Sequence, residues 1–185
     1  MSLHITLEDV RPCLLGNTVL TTLTNQGYLL YTLNMLKSLR PYGLDKKVLI
    51  VTIDQKSHII LKNMGYNTIC INEKLNKFYP WNSPGYDKVC YYKVELIYRL
   101  LALGNNILLM DGDIVFQKNP LGDIEEWNQS DEDIWIQNDS TDDDNVQNMC
   151  TGYMFIRSNK KLIALYDCIS ESCLLYTSPS PRDVE

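Results

Sequence analysis

The sequence predicts an α/β domain in which a mostly parallel central sheet lies between layers of helices. Three observations lead to this prediction: strand-like segments alternate with helix-like ones, the strands are almost continuously apolar, and no linker or internal repeat divides the chain. Unbroken apolar strands are typical of a sheet covered on both faces, and strands that alternate with helices are typical of parallel pairing. The chain has 185 residues, of which 45% are hydrophobic, and this is enough for one core.

Strands are expected where β-branched and apolar residues run together between turn formers. These runs cover residues 17–24, 47–54, 67–72, 106–116, 133–139 and 153–157. An acidic segment, residues 141–148, is expected to form a solvated loop between the last two strands.

Helices are expected between the strands. Asn25 is placed to cap the first helix, in which Leu29, Leu33 and Leu36 recur at helical spacing. A second, short helix is expected over residues 56–64.

The strongest helical pattern covers residues 87–103. Glu95 and Arg99 are one turn apart on it and can form an ion pair. Its apolar stripe consists of Cys90, Val94, Ile97 and Leu101. Residues 73–85, which precede it, show no period and are expected to form a loop.

The charge and the cysteine pattern exclude several classes of function. The formal net charge of -6 argues against nucleic acid or an anionic membrane as a partner, because phosphates attract lysine and arginine. No apolar run approaches the roughly 20 residues of a transmembrane helix, and the first residues lack the apolar core of a signal peptide, so a cytoplasmic location is expected. The six cysteines are scattered and only two histidines are present, so a zinc site is not expected.

The sharpest functional signal is Asp111-Gly112-Asp113, which follows the apolar run Ile107–Met110. Side chains alternate along an extended chain, so two aspartates spaced by one are expected to point the same way. Such carboxylates suit Mg²⁺ or Mn²⁺, and the carboxyl edge of an open α/β sheet is where ligands bind. The simpler alternative is a solvated turn, since Asp-Gly is a common turn dipeptide.

The segment LLMDGDIVFQKNPL resembles the DxD region of the GT-A glycosyltransferases, the nucleotide-diphospho-sugar transferases. It is most similar to family seventy-seven and to the glycogenin-like family eight. Three further segments match in the family's order, and the likeness covers residues 17–169. They are TTLTNQGY (21–28), YYKVELIYRLLALGNNILLMDGD (91–113) and CTGYMFIRSN (150–159).

The resemblance implies a Rossmann-like GT-A sandwich and a metal-dependent transfer of sugar from a nucleotide-diphosphate donor, a UDP-sugar, to a hydroxyl of a glycan, protein or small-molecule acceptor. It implies Mn²⁺ or Mg²⁺ as the cofactor and retention of the anomeric configuration. The metal ligands would be Asp111 and Asp113, and the catalytic residues Lys93, Gln137 and Asp139. The nucleotide-sugar would contact Thr22, Thr24, Asn25, Tyr28, Asp111, Thr151 and Gly152.

Some of these positions have ordinary structural alternatives. Lys93 lies at the edge of the apolar stripe, where a lysine can cover apolar surface with its stem, and Tyr28 can be a core residue. Gln137 and Asp139 end a polar strand, which needs no function.

The sequence departs from the family pattern at two points: at position 150, and at the histidine that completes the metal site. Many relatives have Asn where Cys150 stands here. Family-eight enzymes complete their metal site with a late histidine, a place that neither His4 nor His58 occupies. The sugar-donor domain is therefore expected to span residues 1–172 and to be incomplete. Residues 173–183 resemble the translation of a sequencing adapter, and 173–185 are expected to be a non-native tail.

Two rival functions stay open at this point. A truncated domain can bind a nucleotide-sugar without turning it over. Asp111-Gly112-Asp113-Ile114-Val115 also fits the nucleophile motif of haloacid dehalogenase-type phosphohydrolases, although that motif normally follows the first strand.

Overall fold

The computed structural model describes residues 3–80, 83–140 and 149–177, with residues 172–177 described as backbone only. The acidic segment 141–148 and the chain end from residue 178 lie outside the described residues. The helices are α1 (Leu7–Val10), α2 (Leu29–Leu39), α3 (Gln55–Asn63), α4 (Pro84–Ala102), α5 (Leu121–Gln129) and α6 (Lys160–Thr177). The strands are β1 (Leu14–Leu15), β2 (Thr18–Thr24), β3 (Val48–Thr52), β4 (Asn67–Cys70), β5 (Asn106–Met110), β6 (Ile134–Asn138) and β7 (Met149–Ile156).

All strands join one sheet with the order β4-β3-β2-β5-β7-β6, and β1 pairs with β2 at one end. The pairs β4-β3, β3-β2 and β2-β5 are parallel, whereas β7 runs antiparallel to both β5 and β6. The predicted α/β class with a mostly parallel sheet is confirmed.

The chain changes direction across the sheet between β2 and β5. From β2 it moves outward through β3 to β4, and α4 then returns it to β5 on the other side of β2. In open α/β sheets, a crevice forms beyond the carboxyl ends of the strands at such a switch point. The topology therefore places a cavity beside Thr24 and Met110, the last residues of β2 and β5.

Helices cover both faces of the sheet. On one face, α4 and α6 pack on the strands through residues such as Tyr92, Leu96 and Leu162. On the other face, α2, α3 and α5 pack through residues that include Leu36 and Ile124. In the described part of the chain, no helix is long and apolar enough to cross a membrane. The cytoplasmic location stays a prediction.

Several predicted boundaries are wrong, for local reasons. The strand expected to reach residue 116 ends at Met110, because the Asp-Gly-Asp segment turns away from the sheet. The cap of α2 is Tyr28, whose N–H is bonded to Asn25, so Asn25 closes the preceding turn instead of capping the helix. α5 was not expected from the sequence.

The long helix α4 begins earlier than predicted, and its buried stripe agrees with the predicted one only in part, at Ile97 and Leu101. Ser83 caps it by accepting a hydrogen bond from Tyr86 N, so the preceding loop is shorter than expected. Cys90 and Val94 are only partly buried, because the line that faces the sheet consists of Tyr92, Leu96 and Leu100. The expected pair of Glu95 and Arg99 is confirmed at 3.2 Å.

The last helix continues past the predicted domain boundary at residue 172. α6 reaches Thr177, which lies within the segment interpreted as a non-native tail. The origin of that segment stays a prediction.

Candidate functional site

The Asp-Gly-Asp segment forms a turn directly after β5. The N–H of Asp111 donates to the carbonyl of Gly152 at 2.7 Å, which ties the turn to the neighbouring β7. Gly112 is buried, and a Cβ there would lie 2.5 Å from Thr32 Oγ1, so the turn packs against α2 without room for a side chain. The alternation argument for Asp111 and Asp113 was wrong because their backbone is not extended, yet both side chains line one cavity.

This cavity, called here the strand-end cavity, has a volume of about 200 Å³ and lies at the switch point between β2 and β5. Its lining combines apolar and aromatic residues with two aspartates and one lysine. It is lined by Leu23, Thr24, Asn25, Tyr28, Ile53, Tyr79, Tyr86, Val89, Cys90, Lys93, Asp111, Gly112 and Asp113.

Lys93 connects α4 to the Asp-Gly-Asp turn. Its Nζ donates to Asp111 Oδ1 at 2.7 Å and to Thr151 Oγ1 at 3.3 Å. The Lys93 side chain is 18% exposed and that of Asp111 is 44% exposed, so the pair is screened on one side and open to the cavity on the other. Lys93 is the one basic side chain among the described residues that line the cavity.

The turn after β2 was predicted to contact a nucleotide, and its residues divide into two groups. Thr24 and Tyr28 line the strand-end cavity. Burial raises the pKa of Tyr28, and the charges of the Asp113 and Asp111 carboxylates raise it further. Thr22 lies two residues earlier on β2, is fully buried and does not belong to the lining. Alternation puts it on the same face as Thr24, but of the two it is Thr24, the last residue of the strand, that reaches the cavity.

Thr151 and Gly152 on β7 lie beside Asp111. A Cβ on Gly152 would lie 3.3 Å from Asp111 Oδ2 and 3.3 Å from Cys150 Sγ, so glycine lets β7 approach the carboxylate closely. Thr151 reaches the same group through its bond with Lys93.

Gln137 and Asp139 are not among the residues that line the strand-end cavity. Both are exposed, and Gln137 Nε2 contacts Asp139 Oδ1 at 3.4 Å. Gln137 borders a second, more open cavity of about 330 Å³, which Phe116 and Tyr153 also line. The catalytic role expected for the two residues stays a prediction.

Three aromatic or polar residues of the cavity lining, Tyr79, Tyr86 and Cys90, were not predicted as site residues from the sequence. Tyr86 and Cys90 precede Lys93 by seven and three residues on α4, and this helical spacing could have shown that they share a face. Burial raises the pKa of Tyr86 to about 12 and also raises the pKa of the Cys90 thiol. Tyr79 lies in an irregular segment, where no pattern indicates a position.

Asp54, which was also not predicted, does not line the cavity but supports the turn after β2. It is nearly fully buried, caps α3 by accepting from Ser57 N at 3.0 Å, and accepts from Gln26 N at 2.8 Å. One carboxylate thus fixes both the start of α3 and the backbone beside Asn25.

A further carboxylate, Glu73, joins the segment before α4 to that helix. It accepts from Tyr92 Oη at 2.8 Å and from Lys88 Nζ at 3.1 Å. Burial acts to raise the pKa of Glu73, but the two hydrogen bonds and the charge of Lys88 outweigh it, so the pKa lies below its ordinary value of 4.5.

This network predicts a loss of stability in acid. Because the folded state lowers the pKa of Glu73, its contribution is complete above the ordinary pKa and is lost as the pH falls through the lower, folded value. We expect Glu73→Gln to lower the free energy of unfolding near neutral pH by about 1 kcal/mol. We also expect the free energy of unfolding of this variant to decrease less steeply than that of the unchanged protein below pH about 4. Urea unfolding across pH measures this, with Glu125→Gln on the exposed face of α5 as the control. Equal acid slopes for Glu73→Gln and the unchanged protein would contradict the role of this carboxylate.

A comparison with known families decides the class of the protein. The sequence model of the nucleotide-diphospho-sugar transferases matches residues 43–180, most of the chain. The chain belongs to this family. The predicted enzyme class, a glycosyltransferase, is thus confirmed at the level of the family.

Two individual similarities accompany the family match. The UDP-galactose:fucoside alpha-3-galactosyltransferase of Dictyostelium discoideum is 36% identical over 87 residues, which cover 43% of this chain and 12% of that protein. The chain thus spans about an eighth of that relative's length. A crystal structure of a glycosyltransferase involved in the glycosylation of the major capsid of PBCV-1 aligns with 89% of this chain and 67% of its own, at 9% identity and a TM-score of 0.44.

The residues of this nucleotide-diphospho-sugar transferase fit a divalent cation only in part. Asp111 and Asp113 offer carboxylate oxygens at the strand-end cavity, the ligand type that Mg²⁺ and Mn²⁺ prefer. No group of three His, Cys, Asp or Glu side chains that could hold a metal exists among the described residues. A Mg²⁺-type site commonly has one or two carboxylates and completes its shell with water and substrate phosphates, and this donor set is compatible with that pattern.

Proposed function

We propose that the strand-end cavity binds a UDP-sugar together with Mn²⁺ or Mg²⁺, and that the protein transfers the sugar to an acceptor hydroxyl. The observation that most supports this is the 2.7 Å contact between Lys93 and Asp111 at the switch point of a transferase-family sheet. It places a cation and an anion side by side in a cavity whose lining also provides apolar and aromatic surface.

The charges of the cavity suit a diphosphate only with a cation. The described lining residues include Asp111 and Asp113 but only one basic residue, Lys93, so a bare diphosphate would be repelled. A divalent cation held by the two aspartates would reverse this repulsion and stabilise the negative charge of the departing diphosphate. Lys93, fixed between Asp111 and Thr151, is positioned to donate to a phosphate oxygen without reorganisation.

The aromatic and apolar residues of the lining suit the nucleoside. Tyr28, Tyr79 and Tyr86 provide aromatic surface, and Leu23 and Ile53 provide apolar surface. Aromatic side chains bind flat bases by stacking. UDP-galactose is the first sugar donor to test, because the Dictyostelium relative's name specifies it.

The main alternative is a domain that binds the nucleotide-sugar without turnover. The chain matches only 12% of the Dictyostelium relative. In this alternative, the residues that hold an acceptor belong to a part of the relative that the match does not cover. Products separate the possibilities: a transferase slowly releases UDP from a UDP-sugar, a phosphohydrolase releases inorganic phosphate, and a pure binder releases neither.

The proposal predicts metal-dependent binding of UDP. We expect Mn²⁺ to strengthen UDP binding by the wild-type chain, and Asp111→Asn to weaken the Mn²⁺-dependent affinity by about tenfold or more, because one ligand charge is lost. Isothermal titration calorimetry with and without Mn²⁺ measures this. Asp131→Asn, which removes an exposed carboxylate remote from the cavity lining, serves as the matched control. Binding that needs no metal and is unchanged in Asp111→Asn would remove the proposed role of the aspartates.

A further inference from the structure

The irregular segment between β4 and α4 crosses over to the turn after β2. Residues 77–79 (Lys77, Phe78 and Tyr79), called here the strap, contact that turn, and Tyr79 lines the strand-end cavity. Asn72 begins the segment in a left-handed conformation, with φ 61°, which redirects the chain after β4. The strap is therefore a wall of the cavity contributed from outside the helices and strands.

Asn25 fastens the strap to the turn. Its Nδ2 donates to the carbonyl of Lys77 at 3.0 Å, and its Oδ1 accepts from Tyr28 N at 3.2 Å. The residue is 1% exposed, so the amide is enclosed and both of its ends already have partners within the protein. Although Asn25 borders the cavity, its amide is used to join two segments that are 52 positions apart.

Two glycines let the strap pack closely on both sides. A Cβ on Gly27 would lie 2.1 Å from the backbone nitrogen of Phe78, so the turn and the strap meet backbone to backbone. A Cβ on Gly85, at the start of α4, would lie 2.0 Å from a ring carbon of Tyr79. The rings of Tyr28 and Phe78 add a contact with centroids 5.1 Å apart.

We propose that the strap is a fixed, specificity-determining wall for the base of a nucleoside diphosphate, and that Asn25 is the positioning residue that sets it. The proposal rests on the function proposed above. Asn25 acts through the strap: it holds the Tyr79 side of the cavity against the Tyr28 side, so the space between them is defined before a ligand enters. A pre-formed space of this kind favours one size of base and lowers the ordering cost of binding.

The test uses two variants that loosen the strap by different routes. Asn25→Asp replaces the donor to Lys77 by a second acceptor but keeps the acceptor for Tyr28 N. Gly27→Ala puts a methyl group where Phe78 N lies.

Each variant has a matched control. Asn17→Asp is the control for Asn25→Asp, because Asn17 Nδ2 donates the same type of hydrogen bond, to the carbonyl of Gly104 at 3.1 Å, at the opposite end of β2. Gly122→Ala is the control for Gly27→Ala, because a Cβ there meets nothing within 4 Å.

Two readouts are compared for each folded variant. Trypsin cleavage after Lys77, followed by mass spectrometry, reports whether the strap is attached to the turn. Calorimetry with UDP and ADP in the presence of Mn²⁺ measures the affinity of the strand-end cavity for each nucleotide. We expect both strap variants to be cut faster after Lys77, to bind UDP about five- to thirtyfold more weakly, and to discriminate less between UDP and ADP. We expect both controls to behave as the wild type, and UDP to slow cleavage of the wild type.

Different results overturn different parts of the argument. Faster cleavage with unchanged UDP affinity would overturn the strap as a wall. Weaker UDP binding in Asn25→Asp without faster cleavage would mean that Asn25 contacts the ligand itself, and would overturn the positioning role. A wild-type chain that binds no nucleoside diphosphate would contradict the proposed function, whereas wild-type binding with unchanged strap variants would contradict only the strap proposal. If Gly27→Ala does not fold, Asn25→Asp alone decides.

Discussion

Lys93→Met should reduce the rate of UDP release from a UDP-sugar by about 10²- to 10³-fold while leaving the protein folded. Methionine keeps an apolar stem of similar length and removes the charge. The Nζ that is lost lies 2.7 Å from Asp111 Oδ1, at the place where the diphosphate charge would develop. A fixed donor in a partly screened cavity contributes more to a transition state than to a ground state, so we expect the main loss in kcat.

The cost to folding should be small by comparison. Asp111, which loses its partner, is 44% exposed, so water can solvate its carboxylate. Ion pairs open to solvent contribute about 0–1 kcal/mol, and a loss of this size leaves most of a domain's stability intact. The rate and the thermal midpoint are therefore expected to change independently.

Substitution by methionine distinguishes a catalytic role of the Lys93 charge from a structural role of its apolar stem. If Lys93 only covers apolar surface with its stem, Lys93→Met keeps that contact and activity should survive. Lys93→Arg keeps the charge but spreads it over a larger planar group, and we expect it to recover only part of the rate. Lys56→Met, on the exposed surface of α3, is the control. Wild-type kcat in Lys93→Met would exclude Lys93 from the reaction.

The sequence predicted the part of the site that depends on local patterns. A strong helical period placed Lys93 on one face of a helix, and a buried apolar run placed Asp111 at a strand end. The helix is α4 and the strand is β5, which follow each other directly in the chain, and the side chains of Lys93 and Asp111 meet in the structure. The same helical spacing also contained Tyr86 and Cys90, which line the cavity beside Lys93.

What the sequence did not show depends on contacts between distant segments. The carbonyl that Asn25 Nδ2 binds belongs to Lys77, in a segment without any period, so neither the strap nor the position of Tyr79 could be anticipated. Thr22 was grouped with Thr24 through the resemblance, and the two positions do share a face of β2. How far the cavity extends along that face depends on the segments packed at the strand end, which the sequence of β2 does not show.

The roles of Gln137 and Asp139 stay predictions for a related reason. Their strand, β6, is the edge strand of the sheet, and β7 lies between it and β5. A bulge between Ile136 and Gln137 shifts the register of β6 against β7. A pattern of polar residues cannot predict such a shift, and it determines which way a strand end points.

Phe155→Ala should lower the free energy of unfolding by about 3–5 kcal/mol, a large fraction of the roughly 5–15 kcal/mol of a typical domain. Phe155 is fully buried on β7, opposite Leu108 of β5. Its ring contacts Trp127 at 5.7 Å and Trp135 at 5.6 Å between centroids. Alanine would leave a cavity that these rigid rings cannot fill by small movements.

The aromatic cluster is connected to the site through β7, so the effect of Phe155→Ala is testable by binding as well as by unfolding. β7 carries Gly152, whose carbonyl holds Asp111 N, so the aromatic cluster supports the Asp-Gly-Asp turn without touching a ligand. Urea unfolding measures the stability, and Leu30→Ala, at a side chain 79% exposed, is the control that should change it little. At low temperature, where Phe155→Ala is still folded, we expect UDP with Mn²⁺ to bind and to raise its thermal midpoint, because a ligand that binds only the folded state adds stability. A folded Phe155→Ala that binds no UDP would instead show that the ring of Phe155 determines the conformation of the site itself, and not only the stability of the strand that carries it.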